Sequence, residues 1–258
     1  MVKRIYRDPT YYQSHFGRTD VLIRDAERRV RMINKLVDRR GRLLDIGCGA
    51  GHFLKVAKDS GWEVVGVEPA PPAVDHARKN VPDSVIHCGF LHECGDLVRG
   101  EPFDVVCSFA VIEHVIDPVG FLRRAIGLLK PLGLLCLSTP NMGGLVAKAI
   151  GKRFFFLTPP EHVSYFTIGA MERLLASQGM VPVVLRTHSG LGWSEIRQGL
   201  IRFLPPVVGR IVKSFPEGAL KAPMRAGSVV FSLLDLLRLG TRMEVYARSS
   251  APAARKAV

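Results

Sequence analysis

Three alternating glycines follow an apolar stretch in the first part of the chain. Leu43–Ile46 runs into Gly47, Gly49 and Gly51, and a helical pattern begins directly after them. A second apolar stretch ends on an acid, Glu68, twenty-one residues after Gly47. Glycines let a loop backbone approach a charged ligand, and an acid at the tip of the next strand accepts hydrogen bonds from ribose hydroxyls. The pattern therefore predicts a nucleoside-binding site.

The spacing of the glycines indicates the class of nucleoside. A dinucleotide site needs the pattern G-x-G-x-x-G. Here the sixth position is His52, and the pattern reads D-x-G-x-G-x-G from Asp45 onward. This spacing argues against a dinucleotide. An ordinary strand-to-helix turn is the alternative, but such a turn does not need three alternating glycines.

A sheet must position the glycine loop and the acid, because short apolar segments alternate with helical patterns along most of the chain. The segments are almost wholly apolar, as expected for a parallel sheet that helices cover on both faces. Strands are predicted near residues 42–46, 63–67, 84–87, 103–107, 132–138, 181–186 and 243–248. Helices are predicted near residues 19–40, 51–60, 71–80, 117–129 and 168–178.

The net charge of +13 is concentrated at the two ends of the chain. Residues 1–42 hold 12 basic against 5 acidic side chains, and residues 186–258 hold 12 against 4. Basic surfaces attract nucleic acid, anionic lipid or anionic substrates, and composition does not choose among these partners. The five cysteines form no paired framework and no leader pattern is visible, so a cytoplasmic location is expected.

Residues 189–240 combine apolar and basic side chains between the sixth and seventh predicted strands. No apolar run there reaches the roughly eighteen residues of a membrane-spanning helix, so a span is not expected. Two or three amphipathic helices broken at prolines fit the pattern better. Such helices form either a lid on the core or a surface patch that binds an anionic membrane from its inner face.

The glycine pattern also resembles the first motif of class I S-adenosylmethionine-dependent methyltransferases. Further segments are similar to motifs of the same family, in the same order, and the branch they resemble contains quinone-pathway and sugar or glycan methyltransferases. These segments are Phe103–Ser108, Ile112–Pro118, Leu128–Leu134 (with Leu132 in place of a glycine), Ser138–Asn141 and Pro160–Thr167. The resemblance covers about residues 40–188 and the last strand.

The resemblance implies an α/β, Rossmann-like fold. Its sheet would have seven strands, mostly parallel with an antiparallel last strand, helices on both faces and a helical insertion between strands six and seven. It divides the chain into an N-terminal arm and helix (1–41), a core (42–188 with 241–248), the insertion (189–240) and a disordered tail (249–258).

The resemblance also implies that S-adenosylmethionine is the cofactor and S-adenosylhomocysteine the product. The residues implied to bind it are Asp45, Gly47, Cys48, Gly49, Gly51, Glu68, Pro69, Phe90, Ser108 and Phe109. Many relatives place an acid after the third strand, near the adenine, but the segment here offers Phe90 instead.

A hydroxyl acceptor needs a base to take its proton, whereas an ionised carboxylate or a thiolate does not. The candidate catalytic residues are His162, His114 and Glu113. His162 is alternatively a structural histidine that closes the lid, and Glu113 and His114 alternatively cap the helix that follows them. Some quinone-pathway relatives use a metal beside this glutamate and carry a further acid three residues before it. Ala110 stands there in this chain, so no metal is expected.

Methylation of oxygen on a small or amphipathic acceptor, of lipid, isoprenoid or glycan type, is the expected activity. The large apolar insertion favours such an acceptor. An RNA methyltransferase is the alternative that the basic ends suggest, although no nucleic-acid module is evident. A non-catalytic scaffold for a membrane complex is the third hypothesis, and the intact glycine loop with Glu68 argues against it.

Overall fold

The computed structural model describes residues 19–95, 97, 100–189 and 232–249. The helices are α1 (Thr19–Leu36), α2 (His52–Asp59), α3 (Pro71–Asn80), α4 (Pro118–Gly127), α5 (Leu145–Ile150) and α6 (Ile168–Ser177). The strands are β1 (Arg42–Ile46), β2 (Glu63–Glu68), β3 (Val85–Cys88), β4 (Phe103–Phe109), β5 (Leu129–Pro140), β6 (Met180–His188) and β7 (Arg242–Ser249). Short 3-10 turns cover Leu91–Glu93, Ile112–His114 and Gly151–Arg153, and residues 232–236 are helical.

The seven strands form one sheet in the order β3-β2-β1-β4-β5-β7-β6. Strands β1 to β5 pair in parallel, and β7 runs antiparallel to both β5 and β6. The predicted sheet with its antiparallel last strand is therefore confirmed. Strand order reverses between β1 and β4, and in open α/β sheets ligands bind beyond the carboxyl ends of the strands at such a point. We call this side of the sheet the carboxyl edge.

Alternate residues of each strand face opposite layers of helices. Leu43 and Val105 pack with α1, α2 and α3 on one face, whereas Leu44 and Val106 pack with α4 and α6 on the other. Because both faces are covered, β1, β2 and β4 are buried along almost their whole length, which explains why these strands show no period of two in the sequence.

Several local features differ from the sequence predictions. Helix α1 ends at Leu36 instead of near residue 40, and α5 was not predicted. Asp117, not Glu113 or His114, caps α4, because its carboxylate accepts a hydrogen bond from the Gly120 amide at 2.9 Å. The capping role considered for Glu113 and His114 is therefore wrong.

The insertion and both ends of the chain fall largely outside the described residues. Residues 1–18, 190–231 and 250–258 include most of the predicted arm, lid and tail, so these predictions stay predictions. In the described part of the chain, the helices are too short or too polar to traverse a lipid bilayer.

Candidate active site

The glycine loop joins β1 to α2 at the carboxyl edge. The amides of Gly47 and Cys48 donate to the Val67 carbonyl at 2.7 and 3.1 Å, which fastens the loop to β2. Gly47 has a φ of 79°, and a Cβ there would lie 2.4 Å from a methyl carbon of Val111. A Cβ on Gly49 would meet no described atom within 4 Å. Gly47 is therefore needed for the fold, whereas Gly49 borders open space.

Glu68 is buried at the tip of β2, beside this open space. One carboxylate oxygen accepts from the Gly49 amide at 2.9 Å and the other from the Ala70 amide at 3.0 Å. Each carboxylate oxygen can accept more than one hydrogen bond, so both contacts leave capacity for ribose hydroxyls. The loop and the acid predicted to share a nucleoside are thus in direct contact.

Asp45 and Cys48 lie buried beneath the loop. Burial raises the pKa of Asp45 to about 7, the charge of Arg29 opposes the rise, and the charge of Glu68 adds to it. Burial likewise raises the pKa of the Cys48 thiol, so Cys48 is a packed thiol and not a nucleophile. Pro69, directly after Glu68, is half-buried.

The tips of β3 and β4 complete the cofactor side of the site. Ser108 is fully buried, and its hydroxyl oxygen has no hydrogen-bond partner among the described residues. The Phe109 ring packs edge-on against Phe53 at 5.0 Å between centroids. Phe90 lies beyond β3, with its ring 5.7 Å from that of His92. The residues predicted to bind the cofactor therefore lie along the carboxyl edge.

Sequence reasoning missed Arg29. Its guanidinium carbon lies 4.2 Å from the centre of the Phe109 ring, and its Nε donates to Glu244 at 2.9 Å. The charge of Arg29 also acts on Asp45. Helix α1 thus places a cation on the cofactor side of the site. The amphipathic sequence pattern of the helix did not indicate this position.

Glu244 on β7 is the buried anchor for that cation. Its carboxylate also accepts hydrogen bonds from Arg28, Arg186 and His188. Burial alone would raise the pKa of Glu244, but the hydrogen bonds from Arg28 and His188 and the arginine charges hold it well below its usual range. A buried carboxylate is stable only when it is paired in this way.

The three candidate catalytic residues meet at the carboxyl edge, and we call Glu113, His114 and His162 the edge cluster. One ligand-type atom from each lies within 4.8 Å of the other two, and the two imidazole rings are 4.6 Å apart. Backbone bonds hold the pieces together, because the amides of Val163 and Ser164 donate to the Glu113 carbonyl at 2.9 and 3.0 Å. Sequence analysis identified all three residues as catalytic candidates but did not predict that they lie next to one another.

Hydrogen bonds fix the tautomer of both histidines. The Nδ1 of His162 lies 2.6 Å from the Phe156 carbonyl oxygen, and the Nδ1 of His114 lies 2.9 Å from the Glu161 carbonyl oxygen. A carbonyl oxygen only accepts, so each Nδ1 carries the proton and each neutral ring has its lone pair on Nε2. Burial lowers the pKa of His162, which keeps its imidazole neutral and able to accept a proton.

Glu113 is 2% exposed, and its Oε2 has no hydrogen-bond partner in the part of the chain that the structure describes. Burial raises the pKa of Glu113 to about 7. A carboxyl group with this pKa exchanges protons near neutral pH. The edge cluster therefore combines two imidazole lone pairs with a readily ionised carboxyl group.

The same three donors would also suit a divalent cation, since two nitrogens and one carboxylate are a common ligand set. The arrangement of the three side chains is therefore compatible both with accepting a proton and with binding a cation. The prediction that the site holds no metal stays a prediction.

A family model described as a methyltransferase domain matches residues 22–184, more than half of the chain. The chain belongs to this methyltransferase family. The resemblance inferred from the motifs is thereby confirmed, together with the Rossmann-like fold.

Relatives of this methyltransferase include the ubiquinone biosynthesis O-methyltransferases of Bradyrhizobium diazoefficiens and Ruegeria pomeroyi. The first is 37% identical over 125 residues, 47% of this chain and 48% of the relative. The second is 41% identical over 102 residues, 39% of this chain and 41% of the relative. The chain thus spans about half the length of the curated relatives it matches or less.

Solved structures support the fold. The methyltransferase matches a possible histamine N-methyltransferase from Thermotoga maritima with a TM-score of 0.59 and 16% identity, covering 96% of this chain and 99% of the other. A magnesium protoporphyrin IX methyltransferase from Synechocystis with bound SAM matches with a TM-score of 0.53 and 13% identity, covering 96% and 89%. Identities this low show similarity of fold alone.

Proposed function

We propose that this methyltransferase transfers the methyl group of S-adenosylmethionine to a hydroxyl oxygen of a small or amphipathic acceptor. The observation that carries the proposal is the edge cluster, because only an acceptor that must lose a proton needs such a group of bases. The relatives named ubiquinone biosynthesis O-methyltransferase support oxygen as the methylated atom.

The cofactor side supports S-adenosylmethionine as the donor. Glu68 suits the ribose hydroxyls, and the open space beside Gly49 admits the methionyl chain. The amino-terminal end of α2 favours a carboxylate through its exposed amides and helix dipole. We assign Arg29 to the same negative end of the cofactor, since its guanidinium is held over Phe109 on this side.

The proposed reaction is an in-line displacement at the sulfonium methyl group. The acceptor hydroxyl gives its proton to Nε2 of His162, and an oxygen lone pair forms the new bond to the methyl carbon. The carbon–sulfur bond breaks, and its electron pair stays on sulfur, which becomes the neutral thioether of S-adenosylhomocysteine. His162 then releases its proton to solvent, with Glu113 as a second proton acceptor nearby.

The surroundings of the edge cluster favour an acceptor with an apolar part. Three consecutive phenylalanines, Phe154–Phe156, form a small hydrophobic cluster of their own beside it. Ile116 and Val163, which adjoin the cluster, are large apolar side chains left exposed. A lipid, isoprenoid or glycan-type acceptor with an apolar body is therefore our proposal.

Peripheral membrane association, from the cytoplasmic side, is part of the same proposal. Leu233, Leu236 and Leu237 are exposed, and Arg238 follows them. This segment returns to the carboxyl edge, where the Leu239 carbonyl accepts from the Leu145 amide at 2.9 Å. An apolar group with a basic rim beside the active site suits delivery of an acceptor from an anionic lipid surface.

His162→Ala tests the reaction, with 4-nitrocatechol as a chromophoric acceptor and labelled S-adenosylmethionine as donor. We expect methyl transfer to fall roughly 100-fold or more, as for the loss of a general base, while affinity for S-adenosylhomocysteine changes less than about threefold. His76→Ala, an exposed histidine on α3, is the matched control and should match wild type. Unchanged transfer in the His162 variant would remove it as the base.

A further inference from the structure

Arg242 lies at the edge cluster, although no motif pointed to it. It is the first residue of β7, paired with Pro140 of β5 on one side and His188 of β6 on the other. Both partners are at the carboxyl ends of their strands, so the half-buried Arg242 side chain begins at the carboxyl edge.

Phe156 connects Arg242 to the proposed base. The guanidinium carbon lies 4.7 Å from the centre of the Phe156 ring, within range of a cation–π contact. The carbonyl oxygen of the same residue accepts the Nδ1 hydrogen bond of His162 at 2.6 Å. One residue therefore holds the guanidinium by its ring and the imidazole by its backbone.

The charge of Arg242 acts on the edge cluster. Burial has the largest effect on the pKa of Glu113 and of His162, and Arg242 lowers both. The other titratable neighbours are Glu161, whose charge acts on His162, and His114, whose ring packs edge-on against that of His162. An arginine side chain does not lose its proton in proteins, so Arg242 brings a permanent positive charge to the edge cluster.

We propose that the Arg242 guanidinium stabilises the negative charge that develops on the acceptor oxygen as its proton leaves. The inference rests on the proposed function and adds a residue to it. The proton goes to His162, the oxygen keeps the electron pair, and the guanidinium lowers the energy of the resulting oxyanion before that pair attacks the methyl group. Donors and cations aimed at developing charge are a major source of catalysis in sites shielded from water.

Ionisation of bound 4-nitrocatechol in the complex with S-adenosylhomocysteine tests the inference, because the ionised form is read from its visible absorbance. We expect the probe to ionise at lower pH when bound to wild type than in solution. In Arg242→Gln the acid ionisation constant of the bound probe should fall roughly tenfold or more, because the ionised probe loses the attraction of one positive charge at a half-buried site. Arg242→Lys keeps a positive charge at this position, so the ionisation constant of the bound probe should stay within about threefold of the wild-type value.

Controls separate this effect from a loss of structure. Arg123→Gln removes an exposed cation of α4 that has no part in the proposed site, and this variant should titrate the probe as wild type does. Thermal melting and S-adenosylhomocysteine affinity establish that each variant is folded. If Arg242→Gln does not fold, the comparison of Arg242→Lys with wild type still decides, because a lysine that loses the effect tenfold contradicts a role through charge.

The outcomes distinguish the inference from the function on which it rests. Equal ionisation of the probe in wild type and in a folded Arg242→Gln protein would overturn the role of Arg242 and leave the proposed function standing. A wild-type protein that binds S-adenosylhomocysteine but not 4-nitrocatechol would overturn both the inference and the proposal that a small hydroxyl acceptor binds at the edge cluster.

Discussion

Replacement of Glu113 by glutamine should change how stability depends on pH. In the folded protein, burial raises the pKa of this carboxyl group from 4.5 to about 7. Its unfolded-state pKa lies near the lower value, so between the two the folded state binds more protons than the unfolded state. Stability therefore falls as pH rises through this window, and glutamine, which does not ionise, removes that loss.

The size of the effect follows from the two pKa values. A pKa shift from 4.5 to about 7 changes the free energy of unfolding by about 3 kcal/mol between pH values below both pKa values and pH values above both, since one pKa unit corresponds to 1.36 kcal/mol. Between pH 5 and pH 8.5 the free energy of unfolding of Glu113→Gln should rise relative to wild type by about 2–3 kcal/mol. Asp45, whose pKa burial also raises, contributes equally to both proteins and cancels in the difference.

Urea unfolding at a series of pH values measures this difference directly. Glu172→Gln, which alters a side chain that is 46% exposed, is the matched control and should stay parallel to wild type at every pH. If the Glu113→Gln and wild-type curves are also parallel from pH 5 to pH 8.5, then Glu113 ionises normally in the folded protein. The argument that it exchanges protons near neutral pH would then be refuted.

Three further predictions concern backbone positions. Gly49→Ala should fold, with a loss of about 1–2 kcal/mol because the φ of this residue is 53°. It should bind S-adenosylhomocysteine at least tenfold more weakly in calorimetry, because the added methyl group enters the open space that the cofactor needs. Gly47→Ala should lose about 1–3 kcal/mol of stability through its clash with Val111. Equal cofactor affinity in Gly49→Ala and wild type would contradict the placement of the cofactor. Leu132→Gly should gain about 0.5–1 kcal/mol, since Leu132 adopts a φ of 61° with an exposed side chain. A lower melting temperature for this variant would show that the leucine side chain stabilises the turn.

Local sequence patterns were sufficient for most of the sheet and for the nucleoside loop. The strands are short, apolar and bounded by turn residues, and Gly47 marks a backbone angle that other residues adopt at a cost. Leu132 also illustrates the limit of such patterns. The residue there is not a glycine, yet the backbone keeps the left-handed conformation that a glycine would favour.

The residues that sequence reasoning missed depend on contacts between distant parts of the chain. Arg29 and Glu244 are 215 positions apart in sequence. Arg242 reaches the edge cluster only because β7 is antiparallel and begins where the other strands end. No pattern within one segment records such pairings, so these residues look like ordinary charges on an amphipathic helix and a strand.

The insertion of β7 between β5 and β6 has a consequence for synthesis on the ribosome. Among the strands that the structure describes, β6 pairs with β7 alone, and β6 leaves the ribosome before β7. The buried glutamate on that final strand is also the anchor for the arginines of α1. A nascent chain can therefore form the nucleoside loop early, but the anchor for these arginines and the contribution of Arg242 to the edge cluster are in place only after β7 has been translated and has docked.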